Sequence, residues 1–222
     1  MNRIIYKRKS VRKFEHTELS QIEIEKIQSI INNVHPLYPD EPYSVEIIKG
    51  KETSPYFLAF FGNNLENIGF IGQQISLSLS EMGIGSYWKM GRLDGQIKSI
   101  YPFVISMPFG IPAEPLYRRH EEFKRKSLSE ISEGTDKRFE AARLAPSSLN
   151  AQDWYFIADN GSIHCYRKKP NLLLTVMKNK LNCIDMGIAL CHIAEESRNF
   201  KYEKITVHPT KKGYIYMGTV NE

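Results

Sequence analysis

Ala145-Pro146-Ser147-Ser148-Leu149-Asn150-Ala151-Gln152-Asp153-Trp154 joins a short helical pattern, Arg138 to Leu144, to an apolar run that begins at Trp154. Pro146 stops the helix, because it has no backbone N–H to give and its ring clashes with the preceding turn. Ser147, Ser148, Asn150 and Gln152 then crowd neutral hydrogen-bonding side chains into one short connection. Groups that both donate and accept suit a polar heterocycle with mixed edges. The same residue types also make ordinary turns, so the stretch needs partners before it means more.

Two other stretches are candidates for such partners. Arg8-Lys9-Ser10-Val11-Arg12 puts three cations and a hydroxyl within five residues, just ahead of a helix. A guanidinium grips phosphate in bidentate fashion, and a hydroxyl adds a hydrogen bond. In an extended segment Arg8, Ser10 and Arg12 share a face. Taken alone, the stretch also reads as a solvated basic segment. Gly83-Ile84-Gly85-Ser86-Tyr87-Trp88 has two glycines that let backbone approach a ligand, or that simply end a helix and start a strand. It lacks the glycine spacing of a dinucleotide-binding turn.

Working outward, Ser20 and Glu23 form a capping box, with Thr17 a further capping residue, for a helix carrying Ile22, Ile27, Ile30, Ile31 and Val34 and ending at Pro36. Tyr43 to Ile48 and Tyr56 to Phe61 read as strands. Leu65 to Met82 is a helix with Ile68, Ile71, Ile75, Leu79 and Met82 along one face and Gly83 just past its end. Gly69, Gly72, Ser76 and Ser80 make a small-residue face that admits a second helix or a ligand. Phe103 to Met107 is a strand, ended by Gly110-Ile111-Pro112. Trp154 to Ile157 and Ile163 to Tyr166 form a hairpin about Asp159-Asn160-Gly161. Ile184, Ile188 and Cys191 mark another helix, and Tyr214 to Val220 a last strand. The fold class is α+β, a mixed, mostly antiparallel sheet flanked by helices.

The chain also reads as two diverged copies, residues 1–115 and 116–222, in one globular unit. Tyr6-Lys7-Arg8-Lys9-Ser10-Val11 matches Phe123-Lys124-Arg125-Lys126-Ser127-Leu128 at an offset of 117, and Pro36 matches Pro146 at 110. Ile71-Gly72-Gln73-Gln74-Ile75 matches Ile184-Asp185-Met186-Gly187-Ile188 at 113. The unequal offsets require gaps.

Composition narrows the function. Of 222 residues, 41% are hydrophobic and 25% charged, an ordinary globular balance. No apolar run reaches the roughly 20 residues of a membrane span, and the basic start lacks the apolar core of a secretory signal. A cytoplasmic protein is expected. Cys165, Cys183 and Cys191 are odd in number and form no C-x-x-C pair, which supports neither structural zinc nor a disulfide framework. The histidines show no metal-ligand spacing, and His192 reads as a satisfied core or interface residue. A net charge of +5 favours anionic partners, but no nucleic-acid recognition motif accompanies it.

Together the three polar stretches resemble the nitroreductase family. Arg8, Ser10 and Arg12 match its R-x-S-x-R motif. Pro146, Ser147, Ser148, Asn150 and Gln152 match its P-S-S-x-N-x-Q loop. Gly83, Gly85, Ser86 and Trp88 follow a helix as in its G-x-G-S-x-W, and Gly110 and Pro112 match its G-x-P. In ordinary members the polar loop follows the first helix; here that helix ends in Val34-His35-Pro36-Leu37-Tyr38, and the loop appears in the second half. The chain is similar to a branch in which a tandem duplication lets one polypeptide imitate the family's dimer.

That resemblance implies one FMN per chain, held between the halves, in a monomer acting as a pseudo-dimer. Arg8, Lys9 and Ser10 are expected at the phosphate, and Arg12 near the pyrimidine edge. Gly83, Ile84, Gly85 and Ser86 are expected to bring backbone to the flavin. Pro146, Ser147, Ser148, Asn150 and Gln152 are expected to line the ring and ribityl chain, with Lys211 or Lys212 adding a phosphate contact. The second copy has Ser129 where the first has Arg12, so a second site is expected to be dead. The implied activity is ping-pong: NAD(P)H reduces the bound flavin, and a nitroaromatic, quinone or similar electron-poor small molecule is reduced in turn. No side-chain nucleophile and no metal are required. The alternatives are a flavin-binding protein for storage or sensing without turnover, and a basic nucleic-acid-binding protein, which would purify colourless.

Overall fold

The computed structural model describes residues 3–50, 54–91, 99–170 and 175–221, with the side chains of 175–177 left aside. Helix α1 (Gln21–Asn32) starts at the expected capping box: Ser20 Oγ accepts the Glu23 N–H, and the Glu23 carboxylate accepts the Ser20 N–H at 2.7 Å. Ile27 and Ile31 are buried, but Ile22 is 65% exposed. It precedes Ile27 by five residues, about 140° around a helix, which turns it off the apolar stripe.

The first half continues with β1 (Tyr43–Lys49), β2 (Tyr56–Gly62), α2 (Leu65–Glu81), β3 (Gly85–Ser86) and β4 (Phe103–Gly110). The second contributes α3 (Leu128–Ile131), β5 (Ser132–Glu133), α4 (Phe139–Leu144), β6 (Trp154–Asp159), β7 (Ser162–Lys168), α5 (Thr175–Glu195), β8 (Lys201–Glu203) and β9 (Tyr214–Asn221). The expected antiparallel β-structure is divided between two sheets. One has the order β1-β2-β4-β3, antiparallel throughout. The other has the order β5-β6-β7-β9-β8, with only β5 and β6 parallel. The hairpin between β6 and β7 turns on Asn160 and Gly161, both with positive φ (47° and 83°), as a tight two-residue connection demands. Strand β4 runs three residues past its expected end. Pro108 stays in the ladder because it lacks only a donor, and its carbonyl accepts the Tyr87 N–H at 3.2 Å.

Helix α2 is buried on both sides. Its apolar row, Ile68, Ile71, Ile75 and Leu79, is fully buried, and its small-residue row is buried as well. The small side meets α5. A Cβ built on Gly69 would collide with the Ile184 carbonyl, and one on Gly187 with the Glu66 carbonyl, so the two helices touch backbone to backbone. One apolar cluster runs from Ile4 to Val220 through both halves. Within it His192 is fully buried; its Nδ1–H donates to Ala141 O (2.8 Å), which leaves Nε2 to accept from the Gln73 amide (2.9 Å). Burial drives its pKa down to about 3, so the imidazole is neutral. No helix among the described residues is long and apolar enough to cross a membrane.

Gly187→Ala should destabilise the protein by about 1–3 kcal/mol in urea unfolding, because the methyl meets fixed backbone rather than a movable side chain. A histidine whose folded pKa lies below its unfolded value of about 6.5 stabilises the fold only while it is neutral. His192 should therefore contribute a loss of stability as pH falls below about 6.5, approaching ~1.4 kcal/mol per pH unit. A pH series of unfolding midpoints checks this, since His192→Gln should flatten that component.

Candidate functional site

Three segments converge between the halves. The N-terminal strand-like segment is fixed by the Arg8–Tyr117 bridge, by Arg118 N–H to Lys7 O (2.7 Å) and by Val11 N–H to Ser86 O (3.1 Å). Glu114 then accepts the backbone N–H of Arg12 (2.6 Å) and of Lys13 (3.2 Å) and pairs with Lys9 at 3.2 Å. The second segment is the loop after α4. Leu149, Asn150 and Gln152 all have left-handed φ (50°, 56° and 49°), a conformation that costs non-glycine residues energy. The loop is held by Gln152 N–H to Ser147 Oγ (3.0 Å), by Arg125 Nη1 to Asn150 Oδ1 (2.5 Å) and by Lys126 Nζ to Ala151 O (2.6 Å). The third is α5, whose Asp185 takes the Ser148 N–H on both carboxylate oxygens at 3.0 Å.

These segments enclose a cavity of about 920 Å³, at the upper end of the range usual for a bound small molecule or cofactor. Lys9, Ser10, Arg12 and Lys13 line it from the first half. Pro146, Ser147, Ser148 and Asn150 line it from the second, with Trp88, Ile184 and Ile188 adding apolar wall. Arg8 and Gln152 do not line it. Arg8 lies directly behind, 2% exposed, with Nη2 at 3.5 Å from Ser10 Oγ; Gln152 ties the loop to the Lys126 N–H at 2.8 Å. Gly83, Ile84, Gly85 and Ser86 also sit outside the lining. Gly85 is pressed against Val11, where a Cβ would come within 2.7 Å, and Ser86 Oγ meets Ser76 Oγ at 3.2 Å, so the segment backs the N-terminal strand. Lys211 is elsewhere, paired with Glu133 (3.3 Å) and placed over the Tyr155 ring.

Four lining cations went unmarked in the sequence: Lys13, Arg118, Lys124 and Arg125. Arg118 and Arg125 both flank Phe123, 4.6 and 5.7 Å from its ring centre, and both line the cavity. Arg125 lies in the basic hexamer whose match to residues 6–11 was legible, but which cavity it reaches depends on the tertiary path. Arg8, Arg118 and Arg125 each have a buried Nε with no partner among the described residues, and Arg8 Nη1 has none either. Burial, then the charges of Arg118, Arg125 and Arg12, draw the Arg8 pKa down to about 9. Burial, then Arg118 and Arg143, draw Arg125 to about 10. Both remain cationic near neutral pH, and burial draws Arg118 in the same direction, so positive charge and orphaned donors are concentrated at the cavity lining and directly behind it. A dianionic phosphate would offset two of those charges and accept from the free donors. On that ground the residues present fit a phosphorylated cofactor.

Asp185 is the lining carboxylate contributed by α5. Burial raises its pKa to about 7 against the lowering effect of the Ser148 N–H. The Trp88 indole N–H donates to Gln73 Oε1 at 3.2 Å, so the cavity wall is joined to the buried Gln73–His192 pair. No group of His, Cys, Asp and Glu able to hold a metal occurs among the described residues.

Residues 1–197 match the family model described as "Putative TM nitroreductase". The chain belongs to this nitroreductase family. Its fold is similar to that of "a putative nitroreductase" from Thermotoga maritima, with a TM-score of 0.67 and 22% identity over 99% of this chain and 92% of that one. Weaker likenesses include an "FMN-dependent Nitroreductase" from Clostridium difficile (TM-score 0.46, 17% identity, 57% of this chain and 98% of that one). Nitroreductase A from Vibrio parahaemolyticus gives 0.44 and 13%, over 57% of this chain and 71% of that one. No curated protein matches the sequence significantly.

An acid whose folded pKa exceeds its unfolded value of about 3.9 costs stability as pH rises between the two. Asp185→Asn keeps an acceptor for the Ser148 N–H and removes that cost. The variant should gain stability over wild type as pH rises from about 4 to 7, by a few kcal/mol at most. Unfolding curves at pH 4.5 and 8 check this; an equal difference at both would show that Asp185 is not held protonated.

Proposed function

We propose that the chain is an FMN-dependent oxidoreductase that takes electrons from NAD(P)H and passes them to a nitroaromatic, quinone or similar electron-poor small molecule. The observation that carries the reading is the cluster of orphaned arginine donors gathered with the Pro146–Asn150 loop at one cavity, Arg118 and Arg125 on its lining and Arg8 behind them. Arg8, Ser10, Arg118 and Arg125 would hold the phosphate. Pro146, Ser147, Ser148 and Asn150 would face the ring and ribityl chain, against the apolar wall of Trp88, Ile184 and Ile188. Bound there, FMN supplies the two-electron redox chemistry, and the protein supplies binding, orientation and electrostatics. Arg12, at the exposed edge and 5.4 Å from the Tyr87 ring centre, adds positive charge that favours an anionic reduced cofactor. Donor and acceptor would use the open side of the cavity in turn, the ping-pong order.

The two halves are copies that imitate a dimer in this reading, and the protein acts as a monomer on small molecules. Each half has three antiparallel strands with a long helix between the second and third: β1-β2-α2-β4 and β6-β7-α5-β9. The helix contacts are reciprocal, Gly69 against Ile184 and Gly187 against Glu66, which pairs α2 with α5 at an offset of 118 rather than the 113 of the sequence match. At that same offset Asn67 corresponds to Asp185. Asn67 Oδ1 accepts the N–H of Leu37 (2.8 Å) and Tyr38 (3.2 Å) after Pro36, as Asp185 accepts that of Ser148 after Pro146. Next to Asn67, Glu66 is the counterpart of the cavity-wall residue Ile184, and it accepts from the hydroxyls of Tyr38 (2.7 Å) and Tyr202 (2.8 Å). One FMN per chain follows.

The test is a visible spectrum of the purified protein after FMN addition and removal of free ligand, then anaerobic NADH or NADPH. The expected result is about one flavin per chain, bleached by the nicotinamide. Arg118→Met and Arg125→Met should each weaken FMN retention, by roughly tenfold or more for loss of a buried charge-assisted contact. A retained band that does not bleach would favour storage or sensing. A colourless protein would overturn the flavin reading.

A further inference from the structure

The cations around the cavity form two tiers. The inner tier is Arg8, Arg118 and Arg125, none of them fully exposed, each with an unpartnered buried Nε. The outer tier is Arg12, which the flavin reading already uses, with Lys13 and Lys124, both exposed, both lining the cavity, and neither ammonium with an ion-pair partner among the described residues. The carboxylates on the lining are committed elsewhere. Glu114 serves Lys9 and the Arg12 and Lys13 N–H groups. Glu122 accepts the Arg119 N–H and pairs with its side chain, and Asp185 holds Ser148.

One phosphate monoester carries at most two negative charges. The three inner arginines already exceed that, so a phosphorylated cofactor among them leaves the outer lysines uncompensated. Both are exposed on the cavity lining, where a second anion would be attracted and where salt would screen it. Lysine binds phosphate as a point charge and needs no planar match, which suits a flexible ligand entering from solvent.

We propose that Lys13 and Lys124 receive the 2′-phosphate that distinguishes NADPH from NADH, making NADPH the preferred electron donor. This rests on the flavin reading above. The 2′-phosphate is the one group by which the two dinucleotides differ, and it brings to the lining the negative charge that the structure leaves unmatched there.

The test is calorimetric titration of the FMN-loaded protein with NADP+ and with NAD+, at low and high salt. It is repeated on Lys13→Ser/Lys124→Ser, with flavin retention measured alongside. NADP+ should bind about tenfold tighter than NAD+ at low salt, and less so at high salt. The double variant should bring the two affinities together while holding FMN and NAD+ as the wild type does. Equal affinities in the wild type overturn the inference, as does a preference that survives in the double variant. If the variant keeps its NADP+ preference but loses affinity for an anionic acceptor such as a nitrobenzoate, the lysines serve the acceptor and the inference fails. A wild type that holds no FMN overturns the flavin reading itself, whereas FMN held with equal dinucleotide affinities overturns only the donor assignment.

Discussion

The crossing of α2 and α5 at Gly69 and Gly187 is the constraint on which the rest of the structure depends. Each glycine meets a carbonyl of the other helix, so neither position has room for a side chain. Backbone contact brings the halves close enough for one apolar core to run through both. It also sets the height of α5 against the loop after α4, which is what lets Asp185 reach the Ser148 N–H with both oxygens. The wall of the cavity is therefore positioned by a contact at the middle of the molecule. The polar chain from Trp88 through Gln73 to His192 crosses the same helix pair, and each of its buried groups is satisfied, which favours one register over others.

The cavity itself opposes stability. Arginines brought together in a partly buried space repel one another and leave donors unpaired, and burial first, then that repulsion, pulls the pKa of Arg8 and Arg125 down. The loop beside them adds backbone strain at Leu149, Asn150 and Gln152. Leu149 is almost wholly exposed, so apolar burial does not repay its conformation. What holds the loop is polar: Asp185 from one side, and Arg125 and Lys126 from the other. A site that gathers unsatisfied charge and strain in one place, with the fold stabilised elsewhere, is what binding of a preformed anionic ligand requires.

The same framework treats the two halves differently. After Pro36 the chain presents Leu37 and Tyr38, and the Tyr38 hydroxyl closes onto Glu66 with Tyr202 from β8. After Pro146 it presents two serines and leaves the space in front of them open. Asn67 and Asp185 hold the two segments in like manner, and burial raises the Asp185 pKa against the lowering effect of the Ser148 N–H.

The sequence alone determined the elements long enough to show a period: α1 from its capping box, α2 from isoleucines three and four apart, the β6–β7 hairpin from Asn160-Gly161. It also determined the family, because the residues of the R-x-S-x-R and P-S-S-x-N-x-Q motifs are local and their spacing is visible without a fold. β3, β5, β8 and α3, at two to four residues each, carry no period and arise from what they pack against. Tertiary structure decided which cations meet. Arg118 and Arg125 read as members of a mixed-charge surface run, and only the chain path past Phe123 turns them to the cavity. It likewise put Lys211 beside Glu133, and set Gly83 to Ser86 behind the N-terminal strand rather than on the lining. Local pattern specifies what a residue is able to do, but proximity between segments a hundred residues apart is set by helix packing, and here that packing is governed by two glycines.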